Sequence, residues 1–82
     1  MRFTVTWHPS AENELAEIWL RATDRQDITQ AANSIDQALA MEPLLQGEEF
    51  YGDRILVALP LAVTYTVNQQ DRTVQILQVW QR

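Results

Sequence analysis

Apolar and polar positions alternate from the start of the chain, with Phe3, Val5 and Trp7 on one face and Arg2, Thr4 and Thr6 on the other. This period of two predicts a half-buried strand over residues 2–7. His8-Pro9-Ser10 breaks the alternation, and Ser10 is placed to cap the orphan amides of a helix predicted over residues 11–22. Glu12 and Glu14 in its first turn suit the helix dipole. Ala11, Leu15, Ile18, Trp19 and Ala22 fall on a single apolar stripe, while Glu17 and Arg21 are spaced to pair outside it.

Thr23-Asp24 interrupts that stripe, and Asp24 followed by Asp27 signals a second helix start, so a helical hairpin is predicted. Its second arm carries Ile28, Ala31, Ala32, Ile35 and Ala38 or Leu39, and stops at Glu42 because Pro43 clashes with a helical residue before it. From Leu44 to Asp53 the pattern is irregular. Gly47 and Gly52 suit turns, and Leu44, Leu45, Phe50 and Tyr51 give an ordered loop enough apolar surface to lie on the body. Arg54 to Leu59 reads as a strand, Pro60 as a bend, Leu61 to Val67 as a second strand, Asn68 to Arg72 as a hairpin loop, and Thr73 to Trp80 as a last strand. An N-terminal strand, a helical hairpin and a three-stranded antiparallel meander predict a single α+β domain over residues 1–82, its helices packed on one face of the sheet.

With 82 residues, 46% of them hydrophobic, two glycines and three prolines, the chain has the composition of one globular domain with no linker. It has no cysteine, which excludes a thiolate nucleophile, a disulfide and a zinc-thiolate site, and makes a reducing cytoplasm the expected location. No apolar run is long enough to span a bilayer. The single histidine, His8, cannot assemble a metal site without further nitrogen or sulfur ligands and reads better as a junction cap, so neither a metal nor a cofactor is expected. The two glycines are too few and too widely spaced for a phosphate loop.

The net charge is −5, and all six basic residues are arginine. An acidic body starts at a disadvantage against nucleic acid, whose binding draws on counterion release by cationic side chains. The arginines are nevertheless the residues best able to do chemistry. In an up-down-up meander the starts of the first and third strands lie at one end of the sheet. Arg54 and Arg72 are thus candidate neighbours that could hold a phosphate or a partner carboxylate, or pair structurally with Asp53, Asp71 or Glu48. Arg82 belongs at the other end, roughly 20 Å away. Trp7, Trp19 and Trp80 read as core, and Trp80, near the end of the last strand, is the best candidate among them for a partner contact.

In order, spacing and length the chain resembles the RelE/ParE superfamily of type II toxin-antitoxin toxins, which includes the plasmid stabilisation proteins. The likeness rests on Val5-Thr6-Trp7-His8-Pro9-Ser10-Ala11-Glu12-Asn13-Glu14-Leu15, on Ile35-Asp36-Gln37-Ala38-Leu39 with Pro43, on Arg54-Ile55-Leu56, on Pro60 to Val67 and on Val74 to Trp80. The resemblance implies a toxin held inactive by a cognate antitoxin protein, acting either as a gyrase poison through protein binding or as a ribosome-dependent messenger RNA endonuclease. A degenerate member that poisons nothing stays open, as does a homodimer. It also implies Arg54, Tyr65 and Arg82 as catalytic candidates, and Arg54, Arg72, Trp80 and Arg82 as partner or phosphate contacts. Three departures count against the nuclease branch: Ala62 stands where an arginine is common, no lysine accompanies Arg54, and no terminal tyrosine or histidine follows Arg82. Each lost charge-assisted contact to a phosphate-bearing transition state costs on the order of 3 kcal/mol.

Overall fold

A computed structural model describes residues 2–50 and 52–82. The elements run β1 (Thr4–Trp7), α1 (Pro9–Arg21), α2 (Arg25–Met41), β2 (Glu48–Phe50), β3 (Asp53–Ala58), β4 (Leu61–Asn68) and β5 (Thr73–Gln81). α1 starts two residues earlier than its apolar stripe predicts. Pro9 occupies the first turn, where a missing N–H costs nothing, and the capping role passes from Ser10 to His8, whose Nδ1 accepts from the Ser10 amide at 3.1 Å. Asp24 caps α2 as its sequence suggests, accepting from the amides of Gln26 at 3.1 Å and Asp27 at 3.2 Å. Glu17 and Arg21 meet at 3.9 Å on the exposed face of α1, a contact of small energetic value.

The strands form one sheet in the order β1-β5-β4-β3-β2. The meander is present as β3, β4 and β5, and the sheet extends beyond it on both sides. β1 joins parallel to β5, with Val5 opposite Val74 and Trp7 opposite Ile76. Its position is held by hydrogen bonds from the Phe3 amide to the Ala40 carbonyl at 2.7 Å and from the Thr4 amide to the Arg72 carbonyl at 2.8 Å. The segment expected to be loop throughout contains β2, whose residues Glu48 and Glu49 pair with Ile55 and Arg54. Two adjacent glutamates have weak strand propensity, so the pairing comes from neighbouring β3 and not from local preference. Of the apolar residues expected to settle this segment, Tyr51 and the side chain of Phe50 lie outside the described part of the chain.

One face of the sheet carries the core. Ile28, Ile35 and Leu39 from α2 and Ala11 from α1 close on Leu61, Val63, Tyr65, Val74, Ile76 and Val79, all at most 2% exposed. Along β5 the buried positions step from Val74 to Ile76 and then to Val79, skipping a residue. The step is a bulge. Gln78 pairs with Thr64 and Ile76 with Tyr65, which leaves Leu77 as the extra residue. Strict alternation would turn Trp80 toward the core with Val74 and Ile76. The bulge inverts the parity and puts Trp80 on the opposite face.

Gly47 and Gly52 take positive φ, +66° and +86°, but in different surroundings. A Cβ on Gly47 would sit 2.2 Å from the Ile55 carbonyl oxygen, whereas one on Gly52 would meet nothing within 4 Å. Gly52→Ala should therefore cost about 1 kcal/mol for backbone strain, and Gly47→Ala should cost more, about 3 kcal/mol, because β3 must also move. Urea denaturation of the two variants side by side tests this ordering, and equal midpoints would contradict it.

Candidate functional site

Arg54 and Tyr65 are directly paired across β3 and β4, and both turn toward the Pro43–Gly47 segment. The Tyr65 hydroxyl is buried and lies 2.8 Å from the Pro43 carbonyl oxygen and 2.7 Å from that of Gln46, so its single proton is shared between two acceptors. Arg54 donates from Nε to the Gln46 carbonyl at 3.3 Å, and from Nη2 to the carbonyls of Leu44 at 3.0 Å and Gln46 at 3.1 Å. These carbonyls come after the end of α2, where no intrahelical donor remains.

The other arginines are dispersed. Arg54 is level with Ile76 through Tyr65, and Arg72 precedes Ile76 by four residues on β5. The two are therefore offset by roughly 13 Å along the sheet and roughly 10 Å across it. They share an end of the sheet but are not neighbours, because β5 extends past β3. Arg72 sits at the hairpin tip with φ of 53°, next to an Asn68–Asp71 side-chain contact of 3.2 Å. Arg82 lies toward the other end, where its amide donates to the Pro60 carbonyl at 2.8 Å and the residue borders a cleft walled by Glu48, Glu49 and Val57. The expected phosphate contacts thus stand apart.

Trp80 is half-buried on the sheet face away from the core, opposite Ala62, which in turn pairs with Val57. Ala62 is 0% exposed and covered from both flanks. The central positions of this face, Ile55, Thr64, Thr66, Gln75 and Gln78, carry no charge, while Glu48 and Asp53, which share it, lie toward the β2–β3 edge.

An apolar concavity lies elsewhere, between α1 and α2. It encloses about 640 Å³ over Trp7, Leu15, Trp19, Leu20, Ile28 and Ala32, with Glu12, Asn33 and Asp36 as polar members. The Trp7 indole N–H donates to Asp36 Oδ1 at 2.8 Å and fixes the floor. Trp19, expected in the core, is 40% exposed and Leu20 is 64% exposed. Arg25 lies 4.5 Å above the Trp19 ring while its Nε donates to the Trp19 carbonyl at 3.1 Å, which caps α1 and orients the indole. The signal was present in the sequence. Leu20 falls off the stripe that faces the sheet, and an apolar residue there has no place in a simple two-layer packing.

No family model and no curated protein matches the chain. Solved structures do. A chain of the toxin-antitoxin complex RelBE2 from Mycobacterium tuberculosis superposes with a TM-score of 0.83 at 21% identity, with 100% of both chains covered. The archaeal RelE-RelB complex from Pyrococcus horikoshii OT3 gives 0.70 at 18% identity, covering 100% of this chain and 97% of the other. A chromosomal ParDE system from P. aeruginosa gives 0.65 at 18%, covering 98% and 96%. This is the RelE/ParE fold. The expected class, an α+β unit with helices on one face of the sheet, therefore stands, with β2 added and the expected N-terminal strand placed parallel to β5. No described helix of this RelE/ParE fold is long and apolar enough to cross a membrane.

Burial raises the Tyr65 pKa above its ordinary value of 10.0, with the nearby Arg54 guanidinium acting in the opposite direction. The folded chain thus holds this proton more tightly than the unfolded chain does. Tyr65 contributes full stability below pH of about 10 and loses it as pH rises through the raised folded value. With no lysine or cysteine and only two tyrosines, few other groups titrate in that range. Denaturation midpoints between pH 8 and 11 should fall for the wild type and fall less for Tyr65→Phe. Parallel curves would contradict the assignment.

Proposed function

We propose that this chain is the toxin component of a toxin-antitoxin pair, that the groove between α1 and α2 seats an apolar helical segment of the antitoxin, and that the toxin acts by binding a protein such as DNA gyrase. The observation carrying the first two parts is the groove itself, where Trp19 and Leu20 stay exposed beside Trp7, Ile28 and Ala32 although the chain has a core to bury them in. An exposed tryptophan within an apolar patch is characteristic of partner hot spots. Solved structures of the same fold are toxin-antitoxin complexes, which supports an antitoxin partner here. Action through protein contact, not phosphate chemistry, is supported by the dispersed arginines, by uncharged Ala62 on the open face and by the net charge of −5.

Two assays test these parts separately. The protein encoded by the reading frame adjoining this one should bind the purified chain, and Trp19→Ala or Leu20→Glu should raise its Kd by about 30-fold, the equivalent of about 2 kcal/mol at a hot spot. Val57→Glu, on the far face of the sheet, should leave that Kd within about twofold, a change smaller than RT. The reverse pattern would move the antitoxin to the sheet. Induced expression in a bacterial host should arrest growth with a DNA-damage response. Arrest with transcript cleavage would replace protein poisoning with endonuclease action, and unchanged growth would mark a chain that binds an antitoxin but poisons nothing.

A further inference from the structure

We infer that Arg54 and Tyr65 are positioning residues: together they clamp the Pro43–Gly47 segment and so hold β2 in place as the fifth strand. This inference concerns the chain's own architecture and stands whether or not the chain is a toxin. Five contacts within 3.3 Å run from these two side chains to the carbonyls of Pro43, Leu44 and Gln46. The Gln46 oxygen receives three of them, more donors than its two lone pairs accommodate at full strength, so the contacts there are shared. Such convergence makes Gln46 the point through which both side chains act on the next stretch of chain.

That stretch is Gly47 and then β2. Gly47 packs so closely on β3 that its Cα faces the Ile55 carbonyl and the Tyr65 hydroxyl without room for a Cβ. β2 has only three residues, sits at the sheet edge, and begins with two exposed glutamates that bring no burial of their own. A strand so short and so polar is marginal by pairing alone. The clamp offsets that weakness by fixing the chain at Gln46, two residues before Glu48. β2 in turn supplies the Glu48 and Glu49 wall of the cleft that Arg82 borders, so Arg54 shapes that cleft through a strand it holds and not by entering it.

The division of labour differs between the two residues. Tyr65 is fully buried and belongs to the core, so its hydroxyl is an anchor that the helices and sheet hold rigid. Arg54 is part-buried and reaches from β3, the strand that β2 must pair with. The guanidinium therefore ties the segment to the strand on which β2 docks, and its planar fork spans Gln46 and Leu44 in a way a single ammonium cannot.

Amide hydrogen exchange on the full chain tests the clamp. In Arg54→Ala, exchange at Gly47, Glu48 and Glu49 should accelerate by about tenfold or more relative to the amides of Val63 and Ile76, because local opening of β2 no longer has to break those contacts. Arg54→Lys should fall between the two, since one ammonium restores part of the donor set. Should Arg54→Ala fail to fold, Tyr65→Phe removes only a hydroxyl and should show the same selective acceleration. Wild-type exchange at Glu48 and Glu49 in Tyr65→Phe, or equal acceleration at β2 and at Val63 and Ile76, would overturn the inference. Neither outcome bears on antitoxin binding, which is read from the helical groove.

Discussion

A chain of 82 residues carries enough large apolar side chains to cover one face of a five-stranded sheet, and most other features stem from that limit. α1 and α2 are committed to the face formed by Val63, Tyr65, Val74, Ile76 and Val79. The other face is left to mostly uncharged strand residues and a half-buried Trp80, with no helix packed on it among the described residues, so hydrogen bonds add to the hold on the sheet edges. The backbone bond from Phe3 to Ala40 serves one edge, and the Arg54 and Tyr65 contacts serve the other.

The same limit shapes the use of charge. Arg25 stacks on Trp19 and caps α1, Arg21 pairs with Glu17, and Arg54 is spent largely on backbone carbonyls. Half of the six cations thus have local partners, and Arg72 and Arg82 stand at opposite ends of β5. Phosphoryl chemistry needs donors gathered within a few ångströms of one oxygen cluster. Protein recognition needs an apolar surface with well-held aromatic anchors, and the helical groove has that form.

Much of this was legible in the sequence alone, and for identifiable reasons. β1, both helices and the β3–β5 meander each show a clean period, and Asp24, Pro9 and Pro43 act through local sterics and hydrogen bonds that a sequence displays directly. Arg54 was legible as a candidate contact and Tyr65 only through the family resemblance, but their pairing across two strands and their shared target on Gln46 were not. The contact joins positions 19 residues apart through a register that no local pattern encodes. β2 was missed for the opposite reason: its own residues argue against a strand, and only β3 beside it makes one.

Trp80 and Trp19 show the boundary most plainly. Periodicity established that each lies on a regular element, because local backbone geometry repeats and side chains repeat with it. Which way each ring faces was settled by non-local events: a single extra residue at Leu77 reverses the parity of β5, and the packing of α2 beside α1 leaves Trp19 at a groove instead of in the core. Periods are properties of short segments and can be read one segment at a time. Facing is a property of how segments meet, and it exists only once the chain has closed on itself.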